Sequence, residues 1–150
     1  MSGSRVDPEV ELEDGAHLDV AVYLALRRTA GWIEPPAVDA DVQQALDRTW
    51  NVIARDPEGD VVGIGRLLED GALYATIWDM IVRPDRQGRG IGTMILQRLL
   101  AQARSRTIVA LVATPIGRPL YERYGFRTES NGSVGMVLRP DQEPPGVTSS

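Results

Sequence analysis

Arg86-Gln87-Gly88-Arg89-Gly90-Ile91-Gly92-Thr93 carries the strongest chemical signal in the chain. Three glycines at alternate positions let the backbone turn tightly and let a ligand approach with no Cβ in the way. The loop follows a strand ending at Val82-Arg83-Pro84 and opens an amphipathic helix, with Ile91, Met94, Ile95, Leu99, Leu100 and Ala103 at helical spacing. The first N–H groups of a helix lack internal partners and the dipole is positive there, so such a junction suits a phosphate. A lone Gly-x-Gly is often a plain turn; here arginines stand alongside and Asp85 is the one nearby acid. A second chemical signal is Asp79, isolated in the apolar run Ile77-Trp78-Asp79-Met80-Ile81-Val82. A carboxylate in so apolar a strand is costly without a partner. Three readings of it stay open: a role beside a reacting group, an ion pair with an arginine such as Arg66, or an edge position facing water.

Composition narrows the chemistry further. The 150 residues contain no cysteine and one histidine, His17, and all 16 basic residues are arginine. Disulfides, thiolate metal sites and a cysteine acyl-enzyme are excluded, and a histidine-rich metal site is not expected. Without lysine there is neither a Walker-type phosphate loop nor a pyridoxal imine. No apolar run approaches the ~20 residues of a membrane span and no charged-then-apolar leader opens the chain, so a cytoplasmic protein is expected. The net charge of −5 is unevenly spread. Residues 1–83 carry 16 acids and 7 arginines, and residues 84–150 carry 5 acids and 9 arginines. No carboxylate lies between Arg86 and Tyr121, where six arginines occur, which suits an anionic ligand or else a solvated arginine face.

The elements that must position these residues follow from period and punctuation. Residues 1–8 and 140–150 read as tails, leaving 9–139 as a single domain. Val10–Glu13 alternates as a first strand, and Leu18–Arg28 and Asp39–Thr49 read as helices on either side of a Pro35-Pro36 loop. Asn51–Arg55, Val61–Leu68 and Ala72–Val82 read as strands joined by Pro57-Glu58-Gly59-Asp60 and Asp70-Gly71 turns. After the glycine-led helix, Ile108–Ala113 is a buried strand, Pro119 starts a helix and Gly125 ends it. Residues 126–129 and 134–138 close the order as two short strands around Asn131-Gly132.

A dinucleotide fold fails on detail. Gly88-x-Gly90-x-Gly92 lacks that fingerprint's glycine spacing, and no acid lies about 20 residues downstream. Gln87-x-x-Gly90-x-Gly92 after a strand ending at Val82 instead resembles the acyl-CoA pyrophosphate loop of the GNAT superfamily of N-acetyltransferases. Leu120-Tyr121-Glu122-Arg123-Tyr124-Gly125-Phe126 is similar to the aromatic, Gly-Phe-ended helix late in that family. The two motifs stand in register, and the resemblance covers about residues 9–139. Within the superfamily, Ala75-Thr76-Ile77-Trp78-Asp79 and Gly135-Met136 look like the plant-plastid and bacterial branch that acetylates aralkylamines such as serotonin, and sometimes protein lysines.

The resemblance implies an α/β (α+β) fold: a mixed, mostly antiparallel sheet of six to seven strands with about four helices, splayed between the strands at 72–83 and 108–114. It places acetyl-CoA in that cleft, with the pantetheine beside Met80, Ile81 and Val82 and the pyrophosphate on Gln87, Gly88, Arg89, Gly90, Ile91, Gly92 and Thr93. Many relatives have an asparagine before the last helix; Thr114 stands at that place here. Acetyl transfer to an amine requires loss of the ammonium proton, a donor for the oxyanion and a proton for the departing thiolate. A backbone N–H near Met80 serves the oxyanion, Asp79 is the expected carboxylate on the amine side, and Tyr121 the expected acid beside the sulfur. The resemblance bounds the acceptor by the first two helices, which points to Trp32, Glu34, Tyr74 and Trp78 beside Asp79. No metal is required. The expected function is acetyl transfer to a small-molecule primary amine through a ternary complex, in a possible homodimer, with no nucleic-acid or membrane partner. A lysine or N-terminal protein acetyltransferase and a non-catalytic acyl-CoA sensor are the alternatives.

Overall fold

The computed structural model describes residues 9–32 and 37–139. The described residues form two compact units, one ending at Leu111 and the other beginning at Val112. In the first unit, β1 (Glu11–Asp14), β2 (Trp50–Arg55), β3 (Val61–Glu69), β4 (Tyr74–Val82) and β5 (Ile108–Leu111) form one sheet in sequential order. The first four strands pair antiparallel, and β5 joins parallel to β4. The parallel register runs from Tyr74↔Ile108 to Ile77↔Leu111. Beyond Ile77, β4 continues to Val82 with no further β5 partner.

Helices cover both faces of the sheet. On one face lie α1 (Val20–Thr29) and α2 (Asp39–Asp47), whose Tyr23, Leu24, Leu26, Val42 and Leu46 pack on Ile53, Ile64 and Ile81. α1 starts on Asp19, whose side chain accepts from the Ala21 N–H and satisfies a first-turn donor. On the other face lies α3 (Ile91–Ala103), with Ile91, Ile95, Leu96 and Leu99 buried. Its close approach depends on Gly65: a Cβ there would stand 2.6 Å from Ile95 Cγ2 and 2.8 Å from Leu99 Cδ1. Burial of these aliphatic side chains contributes about 1.5–3 kcal/mol each.

The second unit holds α4 (Arg118–Arg123), with Pro119 in its first turn and Gly125 beyond its end at φ +92°. Tyr121 packs edge-on against Phe126, with ring centroids 6.0 Å apart. The two strands expected at 126–129 and 134–138 are not formed, and the sheet has five strands, not six to seven. A two-stranded hairpin is by itself marginal in water, and turn residues alone do not enforce it. Val134, Met136 and Leu138 accordingly remain exposed. Four α-helices are present among the described residues, as expected. The expected tails and the Pro35-Pro36 loop lie outside the described residues, as does Glu34.

Candidate active site

The glycine loop leaves β4 through Arg83 and a 3-10 turn at Pro84–Arg86. Gln87 folds back, its Nε2 donating to the Val82 carbonyl at 3.1 Å. Gly88 and Gly90 have φ +77° and +80°, a region that disfavours other residues. Gly90 is the N-cap of α3 and brings no side-chain cap to the first turn. The amides of Ile91, Gly92 and Thr93 precede the first i→i−4 bond, from the Met94 N–H to the Gly90 carbonyl. An uncapped, glycine-lined helix start has the donors and the dipole that a diphosphate needs.

The arginines around this loop mostly serve the protein itself. Arg83 pairs with Asp85 at 2.6 Å, and Arg86 reaches the buried Asp56 at 3.3 Å. Asp56 also accepts from the Glu58 and Asp60 N–H groups in the β2–β3 turn, so it ties that turn to the loop. Farther along, Arg98 pairs with Asp14 and Arg106 with Glu69. Three arginines of the acid-free stretch, Arg86, Arg98 and Arg106, thus find counter-charges in the acidic first half of the chain, while Arg118 pairs with Glu122.

The other chemical centre is on the α1/α2 face. Asp79 Oδ2 accepts from the Tyr23 hydroxyl at 2.6 Å and from Arg66 Nη1 at 2.6 Å; Oδ1 accepts from Arg27 Nη1 at 3.4 Å. Arg27 also donates to the Tyr23 hydroxyl at 3.2 Å. Arg66 further donates to the Thr49 hydroxyl and the Ala45 carbonyl, so it joins the end of α2 to the sheet. Both guanidinium groups lie over the Tyr23 ring, and Arg27 also lies over Trp32 at 5.3 Å. Burial pushes the Tyr23 phenol above its ordinary range, and the hydrogen bond to Asp79 and that carboxylate's charge push the same way.

Of the three readings open for Asp79, the ion pair with Arg66 is present. Its side chain is only 12% exposed and does not face water. Both its oxygens accept hydrogen bonds from donors of the protein. Trp32 stacks on the same cluster, whereas Trp78, 47% exposed, and Tyr74, 55% exposed, present open ring surface. Strand alternation puts Tyr74, Thr76 and Trp78 on one face, and the Trp78 indole donates to the Thr76 hydroxyl at 2.7 Å. Trp78 stands opposite Arg66, on the face of α1 and α2.

In the second unit, the Thr114 hydroxyl accepts from the Gly117 N–H and the Thr114 carbonyl from the Arg118 N–H, so Thr114 organises the start of α4. Tyr121 is buried, and that burial raises its phenol above the ordinary range. Sequence reasoning overlooked Tyr23 and Arg27. Their i,i+4 spacing on an otherwise Ala/Leu-rich helix is the signal that could have exposed them. Asp56 was also overlooked, since an acid in a turn reads as ordinary surface. Among the described residues no cluster of three or more His, Cys, Asp or Glu stands together, and no helix is long and apolar enough to cross a membrane.

Residues 47–128 match the family model of the acetyltransferase (GNAT) domain. The chain is 28% identical over 138 residues to the uncharacterized N-acetyltransferase ycf52 of Pyropia yezoensis, a match spanning 88% of this chain and 78% of that protein. It is 31% identical over 99 residues to the chloroplastic serotonin N-acetyltransferase 2 of Oryza sativa subsp. japonica, spanning 65% of this chain and 50% of that one. The structure of a GNAT family acetyltransferase from Streptococcus pneumoniae matches with a TM-score of 0.75 at 25% identity, covering 89% of this chain and 99% of that one. A mixed sheet flanked by helices on both faces, with a glycine-led helix after its fourth strand, is therefore the frame of an acyltransferase. The chain belongs to the GNAT family of N-acetyltransferases, enzymes that use acetyl-CoA.

Proposed function

We propose that this enzyme transfers the acetyl group of acetyl-CoA to the primary amine of a small, ring-bearing molecule, by direct attack within a ternary complex. The observation that carries the donor half is the uncapped start of α3 next to the stretch of β4 from Trp78 to Val82, which pairs with β3 but has no β5 partner. The diphosphate is assigned to the amides of residues 87–93, Arg89 included, and the pantetheine to the free side of Met80, Ile81 and Val82, where it adds like a strand. The Met80 N–H is the donor for the carbonyl oxygen as negative charge develops on it.

The amine nitrogen forms its bond to the carbonyl carbon as the carbon–sulfur bond breaks. The electron pair leaves on the CoA sulfur, and the nitrogen loses a proton. Tyr121 is assigned as the acid for the thiolate; its buried phenol stays protonated at neutral pH. With the Asp79 oxygens engaged, the ammonium proton is assigned to water chains leading to solvent. Trp78 and Tyr74 offer exposed aromatic surface for the acceptor ring, and Trp32 borders the same face. The name of the rice relative, a serotonin N-acetyltransferase, is in keeping with a ring-bearing acceptor.

The test is release of free thiol from acetyl-CoA with a panel of aralkylamines, alkylamines, amino sugars and basic peptides. Turnover with aralkylamines at the highest kcat/KM is expected. A preference for peptides would move the acceptor to the protein class, and saturable CoA binding without turnover on any acceptor would make the chain a sensor.

A further inference from the structure

Asp79 has φ +53°, the one non-glycine residue among those described with a positive value. An L-residue held there costs about 1–2 kcal/mol, although Asp and Asn tolerate it better than most. The distortion sits where the β3–β4 register slips between Ile64 and Arg66. Ile81 faces Ile64 and Trp78 faces Arg66, so Asp79 and Met80 together oppose Gly65. Regular alternation from Trp78 would turn position 79 to the α3 face, among Ile95 and Leu99. The bulge turns it instead to the α1/α2 face, where Tyr23, Arg27 and Arg66 bond its carboxylate.

The same bulge determines where the Met80 backbone points. The Arg83 N–H donates to the Val62 carbonyl of β3, while the Val82 carbonyl accepts from the Gln87 side chain. Alternate residues of this end of β4 therefore look away from β3, toward the side where β5 pairing has ceased. Met80 shares that direction with Val82, and its side chain meets Gly65 from the α3 face.

We infer that Asp79 is a positioning residue: the Tyr23–Arg27–Arg66 cluster grips its carboxylate and so maintains the left-handed turn that aims the Met80 N–H at the open side of β4. The inference rests on the acetyl-CoA reading given above. It assigns Asp79 no proton transfer and makes its backbone conformation the quantity that matters. Asn and Gly occupy the left-handed region readily and Ala does not.

The experiment compares Asp79→Asn, Asp79→Gly and Asp79→Ala with the wild type in kcat for acetyl transfer, in CoA affinity by calorimetry and in melting temperature. Asn and Gly are expected to retain more kcat than Ala, which falls below both by roughly 5–30-fold, the factor matching the left-handed penalty. CoA affinity, carried mainly by the diphosphate on residues 87–93 and only in part by the β4 backbone, is expected to stay within about 3-fold of wild type in all three; a general loss of structure would lower both together. Any result in which Asn and Gly do not both exceed Ala overturns the inference, and three equally inactive variants that still bind CoA would return the role to the carboxylate itself. If Asp79→Ala does not fold, the Asn and Gly variants decide: turnover by both supports the inference, and loss in either overturns it. Failure of the wild type to bind CoA would instead overturn the acetyl-CoA reading.

Discussion

The Tyr23 hydroxyl donates to Asp79 Oδ2 at 2.6 Å, joining the second turn of α1 to the bulge of β4 across 56 positions of sequence. Tyr23→Phe removes the donor and keeps the ring under both guanidinium groups. A hydrogen bond to a charged group contributes about 1.5–3 kcal/mol. Urea denaturation of Tyr23→Phe is expected to show a loss in that range, with a larger loss for Tyr23→Leu, which also forfeits the cation–π contacts.

The phenols of Tyr23 and Tyr121 are both raised from 10.0, Tyr23 mainly by burial and then by Asp79, Tyr121 by burial. In the unfolded chain they ionise first, so above pH 10 the native state holds more protons. Stability from these groups is complete below pH 10 and is lost as the pH climbs from there through the folded values. Thermal melts between pH 8 and 12 are expected to be level in this respect up to about pH 10 and then to fall. The fall is expected to be shallower in Tyr23→Phe, measured relative to its own neutral-pH value.

Gly65 lies opposite the bulge and beneath α3. A Cβ there would meet Ile95 Cγ2 at 2.6 Å and both Leu99 Cδ1 and Met80 Sδ at 2.8 Å. Overpacking of this kind costs about 1–3 kcal/mol. Gly65→Ala is expected to lose that much stability in denaturant and to lower kcat as well, because Met80 must move. Unchanged kcat would separate the α3 face of Met80 from its amide.

Gly90 stands at φ +80° and starts α3. A Cβ in that conformation costs about 1–2 kcal/mol, so Gly90→Ala is expected to raise the KM for acetyl-CoA by roughly 5–30-fold. The amine KM is expected to stay near its wild-type value. Initial-rate kinetics with each substrate varied in turn would check both.

Trp78 offers its ring to solvent beside the Asp79 cluster. Trp78→Ala is expected to raise the KM of an aromatic amine by about 10-fold, the effect of losing one aromatic contact of about 1.4 kcal/mol. The KM for acetyl-CoA is expected to be unchanged, and a non-aromatic amine to be affected less. Equal effects on both amines would place the indole outside the ring's site.

The ten elements of the described residues were nearly all legible in the chain, because each is marked by local chemistry. Asp19 caps α1, Asp70 turns β3 into β4 by accepting from the Ala72, Leu73 and Tyr74 N–H groups, and Gly88 and Gly90 announce α3. The hairpin expected around Asn131-Gly132 has the right turn residues, yet turn residues alone do not enforce the pairing of two short strands. The arginine-rich stretch leaves an anion site and a solvated face equally open in the sequence, which carries no record of which carboxylates come near; Asp56, Asp14 and Glu69 are 30, 84 and 37 positions from their partners.

Period, punctuation and composition thus determined the elements and the glycine loop, since these depend on neighbours along the chain. The tertiary structure alone decided the fate of Asp79. An alternating strand pattern gives no sign of a bulge, and the two arginines and the tyrosine that neutralise and hold that carboxylate meet it only when α1, α2 and β3 have closed over β4.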